Sequence, residues 1–194
     1  MFKSQIRPAF LVFVLLSLIT GVIYPLSVTV AAGIFFPRQA QGSLVYRDHK
    51  VVGSSLVGQV FDAERYFWPR PSATAAFPYD ASLSGGSNLG PSNPLLQENI
   101  QQRIKVLRAH DPNDIRLIPV DLVTASASGL DPHISPAAAY YQAGRVARVR
   151  NIREAALRKL IDSYIQPRLW GVIGEPVVNV LELNLALDNM NSGV

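Results

Sequence analysis

Four residues that hydrolases use as nucleophile, orienting acid and base stand within one ten-residue stretch, "SASGLDPHIS": Ser126, Ser128, Asp131 and His133. A triad is assembled in space from separated loops, with its nucleophile on a strained elbow such as G-x-S-x-G. Contiguous turn residues do not easily reach that geometry. The stretch therefore reads as a tight turn, with Asp131 bonding backbone amides and Ser135 capping the next helix. A membrane-tethered hydrolase using Ser128 and His133 is the enzymatic alternative. A second stretch, "GSSLVGQV" from Gly53 to Val60, has the glycine spacing of a P-loop but places Gln59 and Val60 where Lys and Ser/Thr are required. Without that cation and hydroxyl it cannot neutralise phosphates or hold Mg²⁺, and it reads as a glycine-marked strand bend. The third is "LSGGSNLGPSNP", Leu83 to Pro94. It nearly spells the LSGGQ signature of ATP-binding-cassette proteins, which works only against a Walker A site that this chain lacks. A weaker candidate remains: Ser84, Gly85, Gly86, Ser87 and Asn88 as a nucleotide- or partner-binding loop, its amides forming an anion nest. The competing reading is a turn in which Gly supplies positive φ and Ser or Asn caps backbone.

Composition removes other chemistries. The 194 residues contain no cysteine, which excludes disulfides, iron–sulfur clusters, thiolate zinc and Cys nucleophiles. His49, His110 and His133 are far apart, so no metal-ligand spacing exists and no metal is expected. A net charge of +4, mixed in sign and without a recognition motif, does not argue for nucleic acid. Arg145, Arg148, Arg150, Arg153, Arg158, Lys159 and Arg168 gather in one region, expected as a solvated face or as a contact for anionic headgroups or an acidic partner.

The elements that must position these groups begin with a membrane anchor. Pro8 to Pro37 carries no charge, and a bilayer core of ~30 Å needs ~20 apolar residues as helix. The run far exceeds a signal-peptide core, so an uncleaved signal-anchor is expected over residues 1–37, with Tyr24 and Pro25 as a kink. Basic residues are nearly balanced across it. The very short N-terminal tail favours N-terminus inside and residues 38–194 outside.

The remainder, 38–194, reads as a single compact soluble domain of mixed α/β (α+β) class. Leu44–Tyr46 and Val51–Val57 form a hairpin around Arg47–Lys50. An irregular but packed stretch rich in Pro, Gly, Ser and aromatics runs to Pro94, where Asn93 caps a helix ended by Asp111-Pro112. "IRLIPVDLVTAS" (115–126) is expected as a short strand at an edge or bulge because of Pro119. Ser135-Pro136 opens another helix, and Asn151 with Glu154 is a capping box for the next, closed by Gln166-Pro167. Asn179 with Glu182 caps a last helix with Val180, Leu183 and Leu187 on one face.

"TGVIYPLSVT", "FPRQAQGSLV", "VGSSLVGQVF", "YFWPRPSA", "SGGSNLGPSNP", "DLVTASASGLDPHISPAAAYYQAGRVARVR" and "GEPVVNVLELNLALD" follow one another in the order seen in one family. By this ordered set the chain resembles the C subunit of the Kdp potassium-transporting ATPase. "RDHKVV" departs slightly, lacking the Gly that the family more often has in that turn. The resemblance implies a non-catalytic subunit of a single-pass bacterial plasma (inner) membrane complex. Its implied partners are a P-type ATPase subunit, a channel-like potassium subunit and a small single-span subunit, besides membrane lipid. It also implies a catalytic chaperone that raises ATP affinity of the hydrolytic subunit. No cofactor is expected to be held firmly, ATP being reached through the complex. The alternative is direct nucleotide contact at Ser84–Asn88, which requires that loop to face the cytoplasm.

Overall fold

The computed structural model describes residues 2–191. They divide into two compact units, Met1–Leu44 and Val45–Val194. The first is helical: α1 (Phe2–Leu18), a π-helical turn (Ile19–Ile23), α2 (Tyr24–Phe35) and the short α3 (Pro37–Ala40). Ser4–Phe35, 32 residues, is long and apolar enough to cross a membrane. At 1.5 Å per residue that is about 48 Å, ample for a ~30 Å core.

The π turn has a local cause. Pro25 has no N–H, and its ring presses on the carbonyl four residues back, so an α-helical register fails just before it. The amide of Tyr24 instead reaches the Ile19 carbonyl five residues away. The disturbance expected at Tyr24-Pro25 is thus a single widened turn. Thr20, Ser27 and Thr29 return their hydroxyls to the carbonyls of Leu16, Ile23 and Pro25 at 2.7, 2.7 and 2.8 Å, so these three polar groups are satisfied within the helix itself.

The second unit is mixed helix and sheet. Strands β1 (Leu44–Arg47) and β2 (Lys50–Ser54) form a two-stranded sheet. Asp48 and His49 both have positive φ (50° and 61°), the geometry of a two-residue hairpin turn without glycine. No regular element follows until α4 (Pro94–His110), whose Asn93 side chain accepts from the Leu95 amide at 3.0 Å. Then come β3 (His133–Ile134), α5 (Pro136–Arg150), α6 (Glu154–Tyr164), β4 (Ile165–Gln166), β5 (Val177–Asn179) and α7 (Val180–Asn191). The second sheet is antiparallel with β5 central: Ile134 and Ile165 both face Val178, in the order β3-β5-β4.

Helices α5, α6 and α7 and strand β5 pack around one core. Alanines 138, 139, 143 and 147 keep α5 slim, so the larger Leu157 and Ile161 of α6 and Leu183 and Leu187 of α7 can approach it. All four large side chains are fully buried, each contributing ~1.5–3 kcal/mol by removal from water. Val180, Leu183 and Leu187 share that buried face as the spacing predicts, and Asn179 caps α7 by accepting from the Glu182 amide at 3.2 Å.

Three expectations are corrected. Residues 115–126 contain no strand but a 3₁₀ turn at Val120–Leu122. The Arg108 guanidinium takes the carbonyls of Asp114 and Arg116 that a ladder would need, and Pro119 offers no N–H. Asn151 does not open α6. It ends α5 in the left-handed conformation (φ 55°), which asparagine tolerates, and Arg153 stands at the start of α6 with no side-chain cap bond. Third, β2 ends at Ser54 rather than Val57, because the Ser54 hydroxyl accepts from the Leu56 amide and turns the chain.

Candidate functional site

The long irregular arm from Phe67 to Pro94 is fixed by side chains acting as backbone partners. The Asn184 carboxamide on α7 accepts from the Phe67 amide at 2.9 Å and donates to the Phe67 carbonyl at 3.0 Å. Gln142 on α5 does the same for Trp68, at 2.8 and 3.1 Å. Both amides are about fully buried, at 1% exposure. Each side chain thus substitutes for one rung of a sheet, and the arm needs no neighbouring strand.

Arg145 completes the clamp. The residue is 3% exposed, and its guanidinium lies 4.2 Å above the Trp68 ring and donates to the carbonyls of Glu64 and Tyr66 and to Gln142. Burial, opposed by the nearby charges of Asp111 and Glu64, pushes it down to about 10. Farther along, Tyr79 donates its hydroxyl to the Arg70 carbonyl. Burial, reinforced by the Asp131 charge, pushes that phenol well above its ordinary value, so it stays neutral. Arg70 pairs with Asp131 at 3.2 Å and reaches the carbonyls of Thr124 and Ala125.

Between this arm and α4 lies an open groove of about 600 Å³, walled by Val60, Phe61, Trp68, Pro71, Pro78 and Tyr79 opposite Val106 and Leu107. Arg70, Arg103 and His110 supply cationic or polar groups to an otherwise apolar lining. The Arg103 guanidinium donates to the Val123 carbonyl at 2.8 Å and is lowered by burial.

The sequence-derived candidates take these places. Ser84 donates its hydroxyl to the Ser128 carbonyl at 3.0 Å, and the Gly85 amide bonds the same oxygen at 2.9 Å. A Cβ on Gly86 would meet the Ala127 carbonyl at 2.8 Å, so glycine there allows two loops to touch. Ser87 and Asn88 are exposed, Asn88 at φ 52°. In the turn after them, Ser128 accepts from the Leu130 amide at 3.1 Å and Asp131 from the His133 amide at 3.0 Å. The Asp131 carboxyl would be raised by burial, but bonds from His133 and Arg70 outweigh it and hold it below its ordinary value. Ser126 is buried. Among the described residues no serine hydroxyl bonds His133, so a Ser–His pair is not assembled. Nor does any cluster of three His, Asp or Glu among them suit a metal ion.

Gly53 and Gly58 of the P-loop-like stretch are packing positions. A Cβ on Gly53 would strike the Gln59 side chain at 2.0 Å, and one on Gly58 the Tyr79 ring at 2.3 Å. The basic cluster divides: Arg148, Arg153, Lys159 and Arg168 are exposed, as expected of a solvated face, while two members turn inward. Arg145 is buried, and Arg150, with its side chain 4% exposed, pairs with Asp188 at 2.7 Å. Arg148, Arg158 and Arg168 pair with Asp111, Glu154 and Glu175. Sequence reasoning missed Asn184, Gln142 and Arg145 as clamps. The available signal was a polar residue on the buried stripe of a helix, which must find a partner.

The chain is similar to known proteins over almost its whole length. The family model described as "KdpC: K+-transporting ATPase, c chain" matches residues 6–189. A potassium-transporting ATPase KdpC subunit of Variovorax paradoxus (strain S110) is 61% identical over 186 residues, covering 96% of both chains. The protein of the same description from Polaromonas naphthalenivorans (strain CJ2) is 58% identical over 186 residues, covering 96% of this chain and 95% of its own. That of Dechloromonas aromatica (strain RCB) is 54% identical over 189 residues, covering 97% and 99%.

Proposed function

Since the chain belongs to the KdpC family of potassium-transporting ATPase subunits, we propose that it is a non-catalytic accessory subunit. It stabilises the assembled complex and raises the ATP affinity of the hydrolytic subunit. The supporting observation is the rigid arm with its groove of about 600 Å³. Its lining is mostly apolar, and Arg70 and Arg103 are engaged in holding shape through the carbonyls of Thr124, Ala125 and Val123. Such a surface suits the binding of a partner segment.

The partners are the P-type ATPase subunit, the channel-like potassium subunit and the small single-span subunit, in the bacterial inner membrane. Residues 38–194 stand on the extracytoplasmic side, where ATP is absent. The influence on ATP affinity is then a coupling between partner conformations, transmitted by the bound subunit's preference for one of them.

The test compares purified complexes with and without this chain, and with Val106→Asp in the groove. Loss of assembly, of potassium-stimulated ATPase activity, or a raised KM for ATP is expected in both altered preparations. Unchanged assembly and kinetics without the chain would sink the reading. Direct nucleotide contact at Ser84–Asn88 is the competing outcome. It requires an ATP photoprobe to label this chain in sealed vesicles when ATP reaches the face bearing residues 38–194.

A further inference from the structure

Ten residues, Gln166 to Glu175, are all exposed and join β4 to β5 as one projection. This is no slack loop. Pro167 and Pro176 stiffen its two ends, and Arg168 donates to both carboxylate oxygens of Glu175 at 2.8 and 2.7 Å across the neck. Above the neck Leu169 and Ile173 exchange both backbone bonds, at 2.9 and 3.0 Å, and Gly171 and Val172 close the turn onto Arg168 and Leu169. The tip is apolar: Leu169, Trp170, Val172 and Ile173 are 58, 82, 75 and 54% exposed. Trp170 sits at φ 52°, a conformation that a bulky side chain adopts only when the surroundings impose it. A fold that orders its backbone to hold four large apolar side chains in water has a use for them.

We infer that this finger inserts its tip into the headgroup and upper acyl region of the bilayer. Three observations select lipid as the occupant. The same chain carries a helix long and apolar enough to cross a membrane, which keeps a bilayer within reach of the domain. The tip is convex and has no matching recess to specify, which suits a fluid phase better than a carved pocket. Its groups are ordered by depth: Trp170 and Val172 outermost, Leu169 and Ile173 next, the Arg168–Glu175 pair at the neck. From neck to tip is two or three residues, about 7–10 Å at ~3.3 Å each. That matches the ~5–10 Å to which interfacial segments bury apolar groups, with Trp among the residues enriched there. The finger is too short to span, and it supplements the anchor. From the reading above it takes only the anchor, and neither the side of the membrane nor the identity of the other subunits.

The sequence holds two tryptophans, Trp68 and Trp170, so emission can be assigned by difference. The full-length chain and its Trp170→Phe variant are reconstituted into phosphatidylcholine–phosphatidylglycerol vesicles containing acyl-brominated lipid. The emission lost in the variant is the Trp170 signal. Bromolipid is expected to quench that signal by roughly half or more, with acrylamide quenching it weakly. Strong acrylamide quenching without bromolipid quenching overturns the proposal, since the finger then stands in water. Protection from both quenchers also overturns it and indicates a second copy of the chain. Quenching by acrylamide that disappears only when the other subunits are added overturns it in favour of a protein partner. Flotation of both proteins with the vesicles after alkaline extraction reports the anchor separately, so its failure is not mistaken for that of the finger.

Discussion

The arm from Phe67 to Pro94 and the finger from Pro167 to Pro176 are written in similar letters. Both are proline-bounded, aromatic and almost free of regular structure. Their surroundings differ entirely. In the arm Phe67 is fully buried, and its backbone and that of Trp68 are bonded by Asn184 and Gln142 from two helices. Among the described residues the finger's hydrogen bonds are its own neck pair and turn bonds, and every apolar side chain at its tip is exposed. Irregular chain is therefore not one category. Where distant side chains satisfy its backbone it is part of the core. Where it satisfies itself it is available to something outside the domain.

The arm should therefore fail dramatically when its partners are removed. Asn184→Leu keeps the volume but strands a buried N–H and a buried carbonyl of Phe67. Each costs about 1–3 kcal/mol, so a loss of about 4 kcal/mol is expected. A lower urea midpoint for the full chain in detergent, with Trp68 emission shifted to the red before global unfolding, would record it. A loss under about 1 kcal/mol would mean that the arm is held by burial alone and that the contrast with the finger is overstated.

Arg145→Met should cost somewhat less, about 3 kcal/mol. The carbonyls of Glu64 and Tyr66 lose a donor and Trp68 loses its cation, but an expensive buried charge disappears as well. The same urea titration, run beside Asn184→Leu, ranks the two.

Asp188 ties the domain by accepting from Arg47, Tyr66 and Arg150. Burial alone would raise its carboxyl, but bonds from Arg150, Arg47 and Tyr66 hold it below the ordinary carboxylate value. A depressed folded-state pKa gives stability that is present above the unfolded value of about 3.9 and is lost as pH falls through the folded one. Asp188→Asn should lower stability by about 2 kcal/mol at neutral pH, by leaving the buried Arg150 without its anion. It should also flatten the fall in stability below about pH 4. Thermal midpoints from pH 7 to pH 2 for both proteins test the sign. An unchanged acid slope would remove Asp188 from the account.

Much of this architecture was legible in the residues, for local reasons. Asn93, Ser135 and Asn179 each precede a helix and cap it, because a capping oxygen acts within three residues. The long apolar helix over Ser4–Phe35 was legible because thirty residues in a row carry no charge. The clamp was not, because Asn184 and Phe67 lie 117 positions apart and only folding brings them together. Asn151 misled because one residue type serves both the end of one helix and the start of the next. The sheet around β5 was missed for a related reason: strands of two and three residues have too little pattern to announce themselves. For the Ser84–Asn88 loop, the letters gave turn chemistry, and the fold adds which oxygen its amide and hydroxyl reach.

The finger provides the smallest expected effect and the sharpest contrast. Trp170 is 82% exposed and has a positive φ, so the folded domain gains little from its ring and bears the strain of its backbone. The left-handed conformation costs a bulky L-residue about 1–2 kcal/mol, and asparagine adopts it more readily. Trp170→Asn should therefore leave stability unchanged or raise it by up to about 1 kcal/mol, in the same assay where Asn184→Leu is severe. Function and stability are then opposed at the tip, as they are where a surface is kept for a partner rather than for the fold. If Trp170→Asn instead destabilised the chain by more than about 1 kcal/mol, the ring would be packing on its own domain. The finger would then be a second arm, secured from within, and the division drawn between the two segments would not hold.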